Sequence, residues 1–228
     1  MQLRFYSFAV LTIFLCFAAP LLPVFSQQAA GQAAMQNYRT GRDLEARGRM
    51  DDANSYYNNA VRIAQDEINR NTANADTYAA LAMTYQRQKK YADVLRSGDQ
   101  GLRIFGIDYR VIEIMGEAYF YLDRYPECLQ YMQRYVNALP QGDRASVAYF
   151  FIGEVYRLTE KWLHADIAIT TAVKLEPGIA LWWYRLGSVR EEAGYYDLAI
   201  DAYQQALRLQ SNYREASAGL ERSRRAGT

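Results

Sequence analysis

Histidine and cysteine are nearly missing from this chain of 228 residues, which holds one histidine, His164, and two cysteines, Cys16 and Cys128. So small a supply cannot build a zinc site, a disulfide framework or a thiol–imidazole catalytic pair. Proline and glycine are scarce too, at five and fourteen residues, which excludes collagen-like and low-complexity chains. An excess of one charge sign is also missing: 26 Lys and Arg face 25 Asp and Glu, for a net +1. Without a broad basic field the chain lacks the phosphate attraction of nucleic-acid binders and any general pull toward a membrane surface. What it does have is 50% apolar residues against 22% charged. That is enough to fold as one large or two small globular domains.

Catalytic motifs are absent as well. There is no glycine-rich phosphate loop, no zinc-ligand spacing and no serine in a strained-turn motif. His164 lies in Lys161-Trp162-Leu163-His164 with no local nucleophile or further ligand, and reads as a surface or half-buried imidazole. Asp51-Asp52 and Glu191-Glu192 adjoin in sequence, but neighbours on a helix point apart, so both pairs read as solvated charge. No enzyme activity, cofactor or metal is expected.

The first 26 residues differ from the rest. Met1 to Arg4 give a short positive start, Phe5 to Ala19 an apolar run, and Pro20 and Pro23 a broken stretch ending in Val24-Phe25-Ser26. This is the pattern of a secretory signal peptide, with cleavage before Gln27. The apolar run is shorter than the roughly 20 residues of a transmembrane span, so membrane association would require the segment to be retained. Leu15 and Phe14 precede Cys16, where lipidation would need a small residue. Cleavage removes Arg4 as the one charge lost, leaving no net charge, and leaves Cys128 as the one remaining thiol. A lone cysteine in an oxidising compartment is expected to be buried.

Beyond a short linker at 27–33, one pattern recurs over residues 34 to 213. From Ala180, offsets 4, 7, 8, 20, 24 and 27 hold Trp183, Leu186, Gly187, Ala199, Tyr203 and Ala206. From Ser146 the template collects Tyr149, Ile152, Gly153, Tyr156, Ala165, Ile169 and Ala172, and from Tyr109 it collects Ile112, Met115, Gly116, Tyr119, Cys128, Met132 and Tyr135. From Ala75 come Tyr78, Leu81, Ala82, Tyr85 and Val94, and from Ala34 come Gly41, Leu44, Ala53, Tyr57 and Ala60. Offsets 4, 7, 8 and 11 share one face of a first helix, and 20, 24 and 27 share one face of a second. The small residue at 8 is expected to face the small residue at 20, with large residues at 4, 11 and 24 filling the flanks.

The starts are spaced by 41, 34, 37 and 34 residues. The extra seven and three are expected in loops, at Asn69 to Asn74 and Gln141 to Arg144. Gly98 and Gly101 stand at offsets 24 and 27 of the second unit; each costs a helix about 1 kcal/mol relative to alanine, marking a soft point. Arg190 takes the aromatic's place at offset 11 of the fifth unit. A last amphipathic segment, 213–228, would cap the array, with Ala216 and Leu220 inward and Arg214, Arg222, Arg224 and Arg225 outward.

The period and these positions resemble the tetratricopeptide repeat, as five units at 34–67, 75–108, 109–142, 146–179 and 180–213. The resemblance implies an all-α, right-handed superhelical solenoid of helix-turn-helix repeats with a C-terminal capping helix. It also implies that offsets 2, 5, 9, 12 and 13 face a concave groove that takes a partner's peptide or helix. Those offsets give the candidate binding residues Tyr38, Arg42, Arg87, Arg110, Glu113, Glu117, Phe120, Tyr121, Phe150, Glu154, Arg157 and Tyr184. Over all these offsets, Arg42, Arg87, Arg110 and Arg157 face seven acids, the others being Glu45, Asp76, Glu191 and Glu192.

The lysines and asparagines with which one subgroup grips acidic chaperone tails do not recur here, and Glu113, Glu117 and Glu154 would repel such a tail. The expected partner is therefore a protein segment with apolar anchors and some basic charge, seated on Tyr38, Phe120, Tyr121, Phe150 and Tyr184. By analogy with exported relatives, the reading is a non-catalytic adaptor in a bacterial periplasm. A self-assembling homo-oligomeric scaffold and a soluble component of a small-molecule transport system are the alternatives.

Overall fold

The computed structural model describes residues 31–227. The signal peptide at 1–26, Cys16 and most of the 27–33 linker lie outside the described residues. Eleven helices and no strands are found among the described residues: α1 (Gln32–Ala46), α2 (Met50–Asn69), α3 (Ala75–Arg87), α4 (Tyr91–Phe105), α5 (Tyr109–Tyr121), α6 (Tyr125–Ala138), α7 (Ala145–Leu158), α8 (Trp162–Leu175), α9 (Ala180–Glu192), α10 (Tyr196–Leu209) and α11 (Arg214–Ala226). Each odd helix from α1 to α9 packs against the helix that follows it, and each pair packs on the next, giving an all-α repeat superhelix. First helices also touch across repeats, α1 with α3, α3 with α5 and α5 with α7, so they line one common wall. The last helix, α11, closes the array against α9 and α10, burying Ala216, Gly219, Leu220 and Ser223.

A single three-residue turn joins the helices of every pair. Its middle residue is left-handed each time: Gly48, Lys89, Asp123, Glu160 and Gly194, with φ of 74°, 57°, 56°, 57° and 77°. The residue after it returns its N–H to offset 11, as in Lys90 to Tyr85 and Lys161 to Tyr156, 2.9 and 2.8 Å. At that same residue Lys90, Arg124 and Lys161 lie over the rings of Tyr85, Tyr119 and Tyr156, so cation–π contact clasps the turn. The fifth pair exchanges the two types, Arg190 at offset 11 and Tyr195 at the turn. Arg190 there binds Asp166, Thr170 and the Leu198 carbonyl.

Packing inside each pair differs from the small-on-small expectation. The small residue at offset 8 lies beneath the large residue at 24: a Cβ on Gly187 would sit 2.7 Å from the Tyr203 ring, and one on Gly153 would collide with Ile169. Gly41 meets Tyr57, and Gly116 meets Met132, in the same way. The second pair has small residues at both offsets, Ala82 at 8 and Gly98 at 24, and Met115 from the next repeat fills the space over Gly98. Gly101 likewise accommodates Tyr78. Helix α4 runs unbroken through both glycines, whose intrinsic cost is offset by close packing. Cys128, at offset 20, is fully buried.

The seven-residue insertion is mostly helix rather than loop. Helix α2 has 20 residues where the other second helices have 15 or 14. The extension places Glu67 where it accepts bonds from the Gly31 N–H (2.8 Å) and the Thr77 hydroxyl (2.6 Å). It thereby ties the start of α1 to the capping box of α3, formed by Asn74 and Thr77.

Two stability measurements test this packing. Gly187→Ala should destabilise by about 1–3 kcal/mol in urea unfolding, although alanine is the better helix former by about 1 kcal/mol, because Tyr203 is fully buried and cannot retreat. A stabilised variant would contradict the close approach. Glu160→Gly should stabilise by about 0.5–1 kcal/mol, relieving a left-handed residue at the cost of some backbone entropy; a loss of stability would refute the strain.

Candidate peptide-binding groove

The wall of first helices carries a cavity of about 530 Å³, within the size range of ligand sites. It is lined by Tyr38 and Arg42 of α1, Met83, Gln86 and Arg87 of α3, Tyr109, Arg110, Glu113 and Ile114 of α5, Tyr135 and Leu139 of α6, and the turn residues Gly142, Asp143 and Arg144. Five of the twelve residues read from sequence meet here: Tyr38, Arg42, Arg87, Arg110 and Glu113. Tyr38 is buried at 5% exposure and packs on Tyr57, so it is part of the wall rather than a free anchor.

Three of the groove acids are buried rather than displayed. Glu113 and Glu117 are 2% and 3% exposed and Glu154 5%, because each is covered by an arginine. Arg144 reaches Glu113 at 3.0 Å and Glu117 at 2.5 Å, while Glu117 also accepts from Gln86. Glu154 is held by Arg157 at 2.8 Å and faces Arg185 at 3.4 Å. Carboxylates taken out of water need such partners. The groove therefore does not present the seven acids counted from sequence.

Glu191 likewise is not simply solvated: it accepts from the Tyr203 hydroxyl and from Arg222 of α11. Arg222 thus points back onto the array rather than outward. Glu45 accepts from the Tyr57 hydroxyl in the same geometry at the other end. In both places burial and the glutamate raise the tyrosine's pKa well above the usual phenol value.

The remaining aromatic candidates form a run rather than isolated anchors. Tyr91 stacks on Tyr121 at 4.7 Å, Tyr121 and Phe120 both meet Phe151 edge-on, and Phe150 stacks on Trp182 at 5.0 Å. Tyr121 keeps 49% exposure, and Phe120 and Phe150 are half-buried. Tyr184 lies apart from this run, packed between Tyr203 and Tyr213 at the capping end.

Sequence reasoning missed Arg144, Arg185, Phe151 and Trp182. Arg144 was legible only as the end of the three-residue insertion before α7. Phe151 and Trp182 occupy offsets 6 and 3, next to the offsets that were read.

The chemistry of the remaining candidates is plain. His164 is exposed, beside Tyr156. Burial, with Glu117 adding to it, pushes the Cys128 thiol up to about 12, out of reach of thiolate chemistry. Among the described residues no group of His, Cys, Asp and Glu could hold a metal ion, and no helix is long and apolar enough to cross a membrane.

With this geometry in place, comparison with known proteins identifies the repeat. The tetratricopeptide repeat family model matches residues 180–213. A search of curated proteins finds no match. Among solved structures, the Cut9–Hcn1 hetero-tetramer of the APC/C shares the fold at a TM-score of 0.68 and 17% identity over 82% of this chain. This chain corresponds to only 35% of that one. MamA 41-end from Desulfovibrio magneticus RS-1 gives 0.62 and 16% identity, covering 82% of this chain and 99% of that one. YrrB, described as a tetratricopeptide-repeat protein with an unusual peptide-binding site, gives 0.57 and 16% identity, covering 87% and 98%. The described residues thus share the helical-repeat fold of tetratricopeptide-repeat solenoids, with the family's repeat itself matched at 180–213.

Burial and the neighbouring Glu117 charge hold Glu113 well above its ordinary value of 4.5, against the opposing pull of Arg144. The folded chain thus keeps a proton on Glu113 that the unfolded chain releases above about pH 4.5, and stability falls as pH rises through that window. Glu113→Gln removes this loss. Its stability relative to the parent should grow as pH rises above about 4.5, by up to about 1.4 kcal/mol per unit in urea unfolding. A difference independent of pH would contradict the assignment.

Proposed function

We propose that the chain is a non-catalytic adaptor that takes a segment of a partner protein along the groove of its first helices. The observation that carries this reading is the continuity of the surface. An arginine-lined cavity spans α1 to the turn before α7, and the aromatic run from Tyr91 to Trp182 continues beyond it. Such a wall offers guanidinium donors and half-exposed rings together, the residue types that dominate protein interfaces. The fold shared with YrrB, whose description includes a peptide-binding site, supports the same reading.

The reading assigns no catalysis to the site, where Arg42, Arg87, Arg110, Arg144 and Glu113 are taken up in ion pairs. Head-to-tail self-assembly is disfavoured. The outer face of α1 exposes Gln32, Gln36, Arg39 and Asp43, and that of α11 exposes Arg214, Glu221, Arg224 and Arg225, polar faces of the kind that terminate a solenoid. We also read residues 1–26 as an export signal and the site of action as a bacterial periplasm. Recovery of the protein from the cytoplasm with Met1 intact would overturn that.

Crosslinking of the tagged, full-length protein in cells, followed by mass spectrometry of fractionated envelope, tests the adaptor. Crosslinks should run from groove residues to an envelope protein and should drop about tenfold or more in the Tyr121→Ala, Phe150→Ala double variant, which removes anchor area. Unchanged capture by the folded double variant, or crosslinks only to other copies of this chain, would refute the proposal.

A further inference from the structure

The convex side of the solenoid, formed by the second helices, holds one surface that the groove reading does not use. We propose that the outer face of α8 is a two-fold dimer contact, on which α8 of a second copy of this chain packs antiparallel. The contact leaves both grooves open and does not depend on what they bind.

Three observations carry the proposal. The first is a departure from the repeat's own pattern. Offsets 18 and 22 lie on the outer face of every second helix. They hold Asp51 and Ser55 in α2, Ala92 and Arg96 in α4, Pro126 and Gln130 in α6, and Asp197 and Asp201 in α10, all of them exposed. In α8 they are Leu163 and Ile167, each 59% exposed. Leu198 of α10, 47% exposed, extends the patch, since its carbonyl shares Arg190 with Asp166 and Thr170 of α8. A helix that is apolar on its inner and its outer face is one that is covered on both.

The second is that this face can be dried without stranding a polar group. Ile167, Thr170 and Lys174 follow Leu163 at steps of four, three and four, the spacing of a coiled-coil seam. Thr170 accepts from Arg190 at 3.3 Å, and the adjoining Thr171 hydroxyl donates to the Ile167 carbonyl at 2.9 Å. Both threonines therefore enter an interface with a partner already in place.

The third names the occupant. Glu160 precedes α8 and Lys174 lies in its last turn, each seven residues from Ile167 and each exposed. The charges around them are paired, Arg157 with Glu154 and Arg190 with Asp166, but these two form no ion pair among the described residues. A two-fold axis through Ile167 sets the helices antiparallel. It brings Leu163 against Thr171 and Glu160 of one copy against Lys174 of the other, twice over. The face is thus its own complement in charge as well as in apolar area, and a net charge of +1 gives two copies little reason to repel.

One helix wide on a convex side, the contact belongs with interfaces below about 1,200 Å², so the dimer should form only at high concentration. Sedimentation velocity of protein expressed from the full chain, at about 1 to 300 μM, should show monomer passing to dimer and nothing larger, because a two-fold contact closes. The Leu163→Gln, Ile167→Gln double variant, altered at exposed side chains, should dimerise about tenfold or more weakly. Glu160→Lys should also weaken the dimer by setting two lysines together; lysine stands at the equivalent turn position in Lys89. Adding Lys174→Glu should restore it.

Monomer at every concentration would overturn the proposal, and co-sedimentation of that monomer with phosphatidylcholine vesicles would give the face to a lipid surface instead. Dimerisation unchanged in the folded Leu163→Gln, Ile167→Gln variant would overturn α8 as the contact. A charge exchange that fails to restore the dimer would overturn the two-fold arrangement.

Discussion

A carboxylate on the groove wall of this solenoid is matched by an arginine from the next repeat, and the rest of the surface follows from that. Glu45 faces Arg87, Asp76 binds Arg110, Glu113 and Glu117 share Arg144, Glu154 faces Arg185, and Glu191 binds Arg222. Each of these contacts crosses one repeat junction. First helices approach closely enough to bury Glu113, Glu117 and Glu154, so these acids need a counter-charge, and the start of the next repeat supplies it. The net stabilisation from such pairs is small, yet removing one partner of a buried pair costs about 3–5 kcal/mol. Their effect is to fix how one repeat sits on the next, while the apolar core supplies the bulk of the folding free energy.

The display side of the groove is a by-product of this matching. Acids are drawn in and arginines lie over them, so the wall offers guanidinium groups toward the N-terminal end and rings toward the middle. The two terminal pairs show how strongly the geometry repeats. Gly41 under Tyr57 with its hydroxyl on Glu45, and Gly187 under Tyr203 with its hydroxyl on Glu191, are the same device some 146 residues apart. At the C-terminal end the arginine that completes it comes from the capping helix, so α11 closes the last junction with charge as well as with Ala216 and Leu220.

Much of this was legible in the sequence, because helical periodicity and a fixed repeat length leave a strong imprint on residue type. Gly187, Tyr203 and Cys128 stand where a tight helix pair needs them, and the expectation of a buried Cys128 agrees with its full burial. What sequence could not show is where a long side chain goes. Glu113 and Arg110 sit at neighbouring groove offsets, but one is turned into the wall and the other lies on it. Arg144 belongs to an insertion, and no template assigns a direction to an inserted residue. Compensation between positions was also hidden: Gly98 looks like a departure alone but makes room for Met115 of the next repeat, and Arg190 and Tyr195 exchange the residue types found at offset 11 and the turn. The loop expected at Asn69 to Asn74 is present from Arg70 to Asn74, but most of the seven extra residues lie before it, as the lengthened end of α2 that carries Glu67.

Carbodiimide labelling of carboxylates in the folded protein, read residue by residue by mass spectrometry, tests the central claim most directly. If the groove acids are buried beneath arginines, Glu113, Glu117 and Glu154 should react far more slowly than in urea, while Asp43, Asp76 and Asp143 label readily in the folded chain. Labelling of the three glutamates at the same rate folded and unfolded would contradict the account.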